Sequence, residues 1–270
     1  MKLYRTDFEC EDLGNGIYRI NEYDFVNSFL VVGTQKAALI DCGAGVGHLG
    51  DFVRTLTDKP LTVLITHSHA DHDGGAVWFD DVYVHPNEFR RCKMDRQAWA
   101  RYYFLHQHEY KRKSHHVSYF SIFQQDRKTK IHALNEGDRF DLGGREIEAF
   151  FTPGHTTGHL TFRDSQTGAL FAGDNVNPLV TLQFPGGCSV ETWRESALRT
   201  LALAGDGVIY GGHGKGMIPK EGIRAAIAFA DRILEQTDSP KGTVAKMRGE
   251  EKLPCIVYRT DRIHKGKENT

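Results

Sequence analysis

The segment THSHADHDGG, residues 66–75, follows directly on the apolar run 61–66 and constrains this chain more than any other feature. Four ligand-type side chains, His67, His69, Asp71 and His72, fall between positions 67 and 72. In extended backbone His67 and His69 project to the same side. Asp71 and His72 lie in the turn that follows and aim from a slightly different direction. One short loop of this kind can serve two neighbouring metal ions, and imidazole with carboxylate suits zinc, iron or a similar divalent ion. An ordinary strand-to-helix turn explains an Asp and the glycines. It does not explain four ligand types together.

Three later segments share the same local architecture: an apolar strand, a Gly or Pro turn, then a ligand-type residue. They are FFTPGH ending at His155, LFAGD ending at Asp174, and VIYGGHG containing His213. Each is weak by itself. Together they add a His, an Asp and a His at strand ends, where ligand sites form in open α/β sheets.

The surrounding pattern supplies the scaffold. Short β-rich runs at 16–20, 28–32 and 37–41 predict strands joined by hairpins. Apolar spacing over 46–56 predicts a helix, and 61–66 the next strand, which together suggest a parallel crossover. Strands are expected again at 145–152, 160–163, 169–172 and 207–210, with helices at 190–204 and 220–235; 265–270 reads as a frayed tail. The run GVGHLG at 45–50 satisfies G-x-G-x-x-G, but the next strand leads into the histidine loop where a ribose-binding acid belongs. A tight turn into a helix accounts for it better.

The histidine loop, the TPGHTTGH segment, the GD pair and the late GGHG, in that order from about Gly16 to Gly214, resemble the metallo-β-lactamase fold superfamily. The resemblance implies an α/β fold, a four-layer αβ/βα sandwich with a metal pair at one edge of its sheets. It implies that His67, His69 and His155 hold a first metal, that Asp71, His72 and His213 hold a second, and that Asp174 bridges them. Asp41, in ALIDCG, matches an earlier family Asp that orients a metal-binding His. His159 matches the second His of TPGHTTGH and is expected behind the ligands.

The simplest partition is one domain, 1–270, interrupted by a helical, basic and aromatic insertion at 86–130. Phe89, Trp99, Tyr102, Tyr103, Phe104 and Tyr110 are interleaved there with Arg90, Arg91, Lys93, Arg96, Arg101 and the basic run 111–113. Either this is a surface helix with solvated charges, or it caps the site and offers Arg90, Arg91, Arg96 and Arg101 to an acidic substrate. His106, His108, His115 and His116 form no metal pattern. The aromatics pack on their own domain or support a homodimer.

Two divalent ions, zinc first and iron or manganese as alternatives, can share a bridging water and lower its pKa from 15.7 toward about 7. The expected function is hydrolysis of a small ester, thioester or lactone by that hydroxide, with Asp71 as proton shuttle. Tyr210 is read as a buried strand tyrosine rather than an oxyanion donor. The alternatives from the same resemblance are a phosphodiesterase or phosphoesterase, a persulfide dioxygenase with a single iron, and a metal-stabilised effector that binds a ligand with little turnover. A flavodiiron enzyme usually has Glu where His69 stands and adds a flavodoxin domain. Secreted β-lactamases often use a Cys ligand, and Cys188 falls in no matching motif.

Composition narrows the partners. The 34 Lys and Arg against 35 Asp and Glu give a net charge of −1, which disfavours binding to nucleic acid through phosphate neutralisation. No apolar run approaches the roughly 18 residues of a membrane span, and MKLYRTDFEC does not read as a secretory signal. Five scattered cysteines without a C-x-x-C pair fit free thiols in a reducing, cytoplasmic setting. A small-molecule substrate, anionic if the insertion caps the site, is therefore expected.

Overall fold

The computed structural model describes residues 8–95, 98–106, 117, 129–249 and 254–266. Seven strands in chain order form the first sheet: β1 (Phe8–Gly14), β2 (Ile17–Glu22), β3 (Val26–Val32), β4 (Ala37–Ile40), β5 (Leu61–Leu64), β6 (Asp81–Val84) and β7 (Lys130–Ala133). β1 to β4 are antiparallel hairpins. From β4 onward the neighbours are parallel. The expected crossover is present, with α1 (Leu49–Leu56) joining β4 to β5. Its helix starts three residues later than the apolar spacing suggests, because Gly45 takes a positive φ of 75° in the turn before it.

The second sheet comprises β8 (Arg139–Asp141), β9 (Glu146–Phe151), β10 (Leu160–Asp164), β11 (Leu170–Phe171) and, after β12 (Leu179–Thr181), β13 (Ile209–Tyr210). Strand parity assigns the layers, since successive side chains leave opposite faces. On β4, Ala38 and Ile40 join Ile147, Ala149, Leu160 and Phe162 between the two sheets. Ala37 and Leu39 face the other way, with Leu49, Phe52 and Val53 of α1. The far face of the second sheet contributes Leu170 and Ile209 to a core shared with two longer helices. Three short helices precede these, α2 (Ala70–Asp73) and the pair α3 (Phe89–Asp95) and α4 (Ala98–Leu105) of the insertion; the long ones are α5 (Val190–Ala204) and α6 (Lys220–Leu234). The order is helix, sheet, sheet, helix, as expected for the αβ/βα sandwich.

Two elements went unanticipated in the C-terminal region. β14 (Val244–Arg248) and β15 (Cys255–Arg259) join β12 in a third, three-stranded sheet. β15 is almost wholly buried, and Ile256 and Tyr258 pack into the α5–α6 core. The helical insertion occupies the connection between the parallel neighbours β6 and β7, and α3 and α4 pack against α2. Residues 96–97, 107–116 and 118–128 of the insertion, including Arg96, Tyr110, His108, His115 and His116, lie outside the described residues.

The loops that carry the candidate metal-binding residues leave one edge of the sandwich. Asp41 follows β4, the histidine loop follows β5, His155 follows β9, Asp174 follows β11 and His213 follows β13. Because β4 with β5 and β11 with β13 run parallel, their C-terminal ends converge there.

Candidate metal centre

His67, His69 and His155 meet first. Nε2 of His67 lies 3.1 Å from Nδ1 of His69, and Nε2 of His155 lies 2.7 Å from that same atom. Each ring is oriented from behind. Nδ1 of His155 donates to the Thr181 carbonyl at 2.7 Å, which leaves its Nε2 with a lone pair facing inward. The backbone of His155 donates to Asn175 Oδ1, and Trp193 of α5 donates to the Asn175 carbonyl. Nδ1 of His67 faces Thr66 Oγ1 at 3.0 Å, whose hydroxyl donates in turn to Asp41.

Asp71, His72 and His213 form the second set. Oδ2 of Asp71 is 3.8 Å from His72 Nε2 and 3.5 Å from His213 Nε2. His72 donates from Nδ1 to Asp41 Oδ2 at 2.9 Å, and His213 from Nδ1 to the Phe25 carbonyl at 2.7 Å. Asp41 holds His72 in this way from a left-handed backbone, φ 58°, a conformation that Asp tolerates better than most residues.

Asp174 stands between the sets. Its Oδ1 is 3.3 Å from His72 Nε2, and its Oδ2 is 3.1 Å from His213 Nε2 and 3.8 Å from His155 Nε2. Asn177 Nδ2 donates to Oδ1 at 2.7 Å and fixes the carboxylate. The glycines allow this crowding. A Cβ at Gly212 would come within 2.4 Å of Asp174 Oδ1, and one at Gly75 within 1.8 Å of the Cys42 carbonyl. The GG before His213 and the GG closing the histidine loop are therefore places of close backbone approach.

The two sets differ electrostatically. Burial, followed by neighbouring imidazoles, pushes His67 and His69 well below the usual histidine range, and burial lowers His155 too. These rings are neutral donors. Burial also opposes charge on His72 and His213, but Asp174 foremost, with Asp71, overcomes it and raises both, His213 to about 9. Asp174 is the reciprocal case: burial pushes its carboxyl up, and His213 and His72 pull it well below the ordinary value.

Three groups of donor atoms, each within 4.8 Å of one another, can hold an ion: His67, His69 and His155; His67, His72 and Asp174; Asp71, His72 and His213. The residues fit divalent metal. Inward lone pairs on His67 and His155 face the His69 nitrogen, an arrangement that repels unless a cation or proton lies between them. Nε2 of His72 is buried with no hydrogen-bond partner. Nitrogen and carboxylate donors in closed sets suit zinc, iron or manganese.

The other residues singled out in the sequence are positioned as follows. His159 is fully buried, stacks on His67 with centroids 5.3 Å apart and faces Thr152, so it lies behind the candidate ligands. Tyr210 packs on Phe29 and Phe171 between the sheets, as a strand tyrosine. Cys188 is buried with its thiol toward the Thr156 carbonyl, outside the candidate donor sets, and none of the five cysteines is joined in a disulfide. A cleft of about 760 Å³ opens over His69, Asp71, His155, Asp174 and His213. Of the insertion's arginines, Arg91 lines it. Arg90 points to solvent and Arg101 is buried on the inner face of α4, so neither meets the cleft as expected. Tyr103 and Phe104 do line it, which makes α4 part of the wall.

Sequence reasoning missed Glu88. This buried carboxylate, at the end of a 3-10 turn, accepts from the backbone N–H of Ser68 at 3.2 Å and of Gly158 at 2.9 Å. It ties the loop of His67 and His69 to the loop of His155.

A family model described as the metallo-beta-lactamase superfamily matches residues 22–213. The chain belongs to this superfamily. Membership implies divalent-metal binding, in agreement with the donor sets. Acyl-coenzyme A thioesterase MBLAC2 of Gallus gallus is 28% identical over 223 residues, 75% of this chain and 78% of that protein. Its namesake in Bos taurus is 30% identical over 189 residues, 62% of this chain and 65% of that protein, slightly under two thirds of its length. Among solved structures, a metallo-beta-lactamase family protein from Thermus thermophilus superposes with a TM-score of 0.59 at 23% identity, covering 83% of this chain and 82% of the other. That likeness establishes the metallo-β-lactamase fold.

Proposed function

We propose that this protein is a metal-dependent hydrolase that cleaves acyl thioesters. The carrying observation is the convergence of two donor sets on one carboxylate, Asp174, at the floor of a cleft with mainly apolar walls. In this reading His67, His69 and His155 would hold one divalent ion, Asp71, His72 and His213 would hold a second, and the Asp174 carboxylate would be shared between them. Zinc is the first choice, iron or manganese the alternatives. A bound pair supplies Lewis acidity and acidified water near neutral pH. The names of the chicken and bovine relatives favour a thioester over an oxyester, lactone or phosphodiester.

The chain's own groups do the rest. Phe25, Phe104 and Phe184 border the cleft and exclude water around an acyl chain. Asp71, also on the cleft, accepts the proton of the attacking water on its carboxylate and returns it to the departing thiolate sulfur. Asn177 holds the Asp174 carboxylate in the orientation that faces both donor sets. We read the chain as one domain, 1–270, with 86–130 as an insertion, working in the cytoplasm with its thiols reduced. Among the described residues no helix is long and apolar enough to cross a membrane.

The test is thiol release from an acyl-coenzyme A by zinc-loaded protein, beside an oxyester, a lactone and a phosphodiester, together with elemental analysis of protein purified without added metal. The thioester is expected to be cleaved fastest, with about two metal equivalents bound. Preference for the phosphodiester would overturn the substrate reading. One equivalent of iron with oxygen uptake on a persulfide would overturn the hydrolytic one.

A further inference from the structure

The cleft holds a charge feature that hydrolysis at the metal centre does not use. Its walls are mainly apolar, yet two cations line it: Arg91 from α3 and Lys215 from the loop after His213. Several arginines elsewhere pair with carboxylates, while Arg54 and Arg262 donate to backbone carbonyls. Arg19 pairs with Glu9 and Glu11, Arg139 with Glu148, Arg145 with Asp164 and Arg199 with Glu136. Among the described residues neither Arg91 nor Lys215 has an acidic partner. The two carboxylates of the cleft, Asp71 and Asp174, are engaged by imidazoles. What sets these two apart is their place, since both line the cleft that holds the donor sets.

Arg91 is also held in place. Its Nη2 donates to the Pro185 carbonyl, which leaves the other guanidinium N–H groups for a second partner. Gly186, at φ 82°, keeps that approach open, since a Cβ there would come within 3.0 Å of Nη2. The preceding Phe184 lies edge-on to His69, centroids 5.7 Å apart, so Arg91 is tethered beside the first donor set. Lys215 stands two residues past His213 in sequence and lines the same cleft. A cation against low-dielectric walls attracts an anion more strongly than one on an open surface, and a guanidinium fork matches phosphate or carboxylate geometry.

We propose that Arg91 and Lys215 form an anion-recognition subsite that selects thioesters bearing a phosphate or carboxylate in addition to an apolar acyl chain. This rests on the thioester-hydrolase reading. The anion has two sources: the phosphates of a nucleotide-type thiol carrier, or a carboxylate at the far end of a dicarboxylic acyl chain.

Binding of non-hydrolysable thioethers to the zinc-loaded protein, measured by calorimetry, tests the subsite without turnover. The probes are the octyl thioether of coenzyme A, the octyl thioether of pantetheine, and an ω-carboxyalkyl thioether of pantetheine. At least one anionic probe is expected to bind about tenfold or more tightly than neutral octyl-pantetheine, with the preference shrinking as salt is raised. Arg91→Gln and Lys215→Gln are each expected to erode that preference, and Arg91→Lys to retain part of it. A preference for the coenzyme A probe assigns the anion to the carrier, and one for the ω-carboxy probe to the acyl chain. Equal binding of all three probes, or a preference intact in both Gln variants, overturns the subsite. Absence of thiol release from every thioester would overturn the hydrolase reading and leave the binding result standing.

Discussion

The β9–β10 hairpin carries a buried polar cluster at each end, and the two are built on opposite principles. At the far end Arg145 meets Asp164 through two hydrogen bonds of 2.9 and 2.6 Å, with both side chains almost wholly buried. Thr167 and the Asn15 carbonyl take up much of what remains. That cluster closes on itself. At the near end, in the loop that joins the same strands, His155 points its free nitrogen at other donors, and His72 Nε2 opposite has no hydrogen-bond partner. Buried polar groups are ordinarily satisfied. A cluster whose members are each anchored from behind yet face one another in front is arranged for something that enters between them.

The sharpest way to break this comparison is to remove the shared group. Asp174→Ala deletes a carboxylate close to both donor sets, and the expected outcome is loss of hydrolysis with bound metal falling from about two equivalents to one or none. Full occupancy with retained turnover would show that Asp174 is no bridge. The matching change at the closed end, Arg145→Met, leaves Asp164 buried without its cation. It is expected to cost about 3–5 kcal/mol of stability, read by urea unfolding of metal-free protein, while metal stoichiometry in the folded protein stays as in the parent. A loss of metal would mean that the two ends of the hairpin are not independent.

The near end was far more legible in the sequence than the far end, and the reason is chain separation. His67, His69, Asp71 and His72 sit in one loop, so spacing alone displays them, and each later ligand is marked by an apolar strand and a Gly turn. The groups that orient those ligands leave no such mark. Thr181 and Phe25 act through backbone carbonyls, which any residue supplies. Glu88 is distant in sequence from Gly158 and lies in a stretch that reads only as helical and charged. In the insertion, basic and aromatic residues alternate too closely to define a face. The structure puts Arg101 and Leu105 inside, four residues apart on α4, while Trp99 and Tyr103 are exposed. The third sheet was missed because β15 pairs with β12 across a long stretch of chain, a contact that no local period reports.

A smaller effect sharpens the contrast inside the near end itself. Glu88 binds the loops of the first donor set and touches none of the second. Glu88→Gln turns one of its two acceptors into a donor facing a backbone N–H, which loosens the registry of His67 and His69 against His155. Changes behind ligands typically weaken metal binding about 10–100-fold. Chelator competition should therefore show one weakened equivalent and one close to the parent. Equal weakening of both, or of neither, would remove Glu88 from this role.

The smallest expected effect is a pH signature confined to the closed end. Burial pushes the Asp164 carboxyl up, but Arg145 and Thr167 together hold it below its ordinary value of 3.8. A carboxyl with a folded pKa below its unfolded one contributes stability that is complete above the unfolded value and is lost as pH falls through the folded one. Urea unfolding of metal-free parent and Asp164→Asn should therefore differ by a constant margin from neutral pH down to about pH 5. The margin should then shrink as the pH is lowered through 3.8 and below. A margin unchanged across that range would mean that folding leaves the Asp164 carboxyl at its unfolded pKa, and a margin that grows as the pH falls would mean that Asp164 is protonated in the fold, the far cluster then being a neutral hydrogen-bonded pair rather than an ion pair closed on itself.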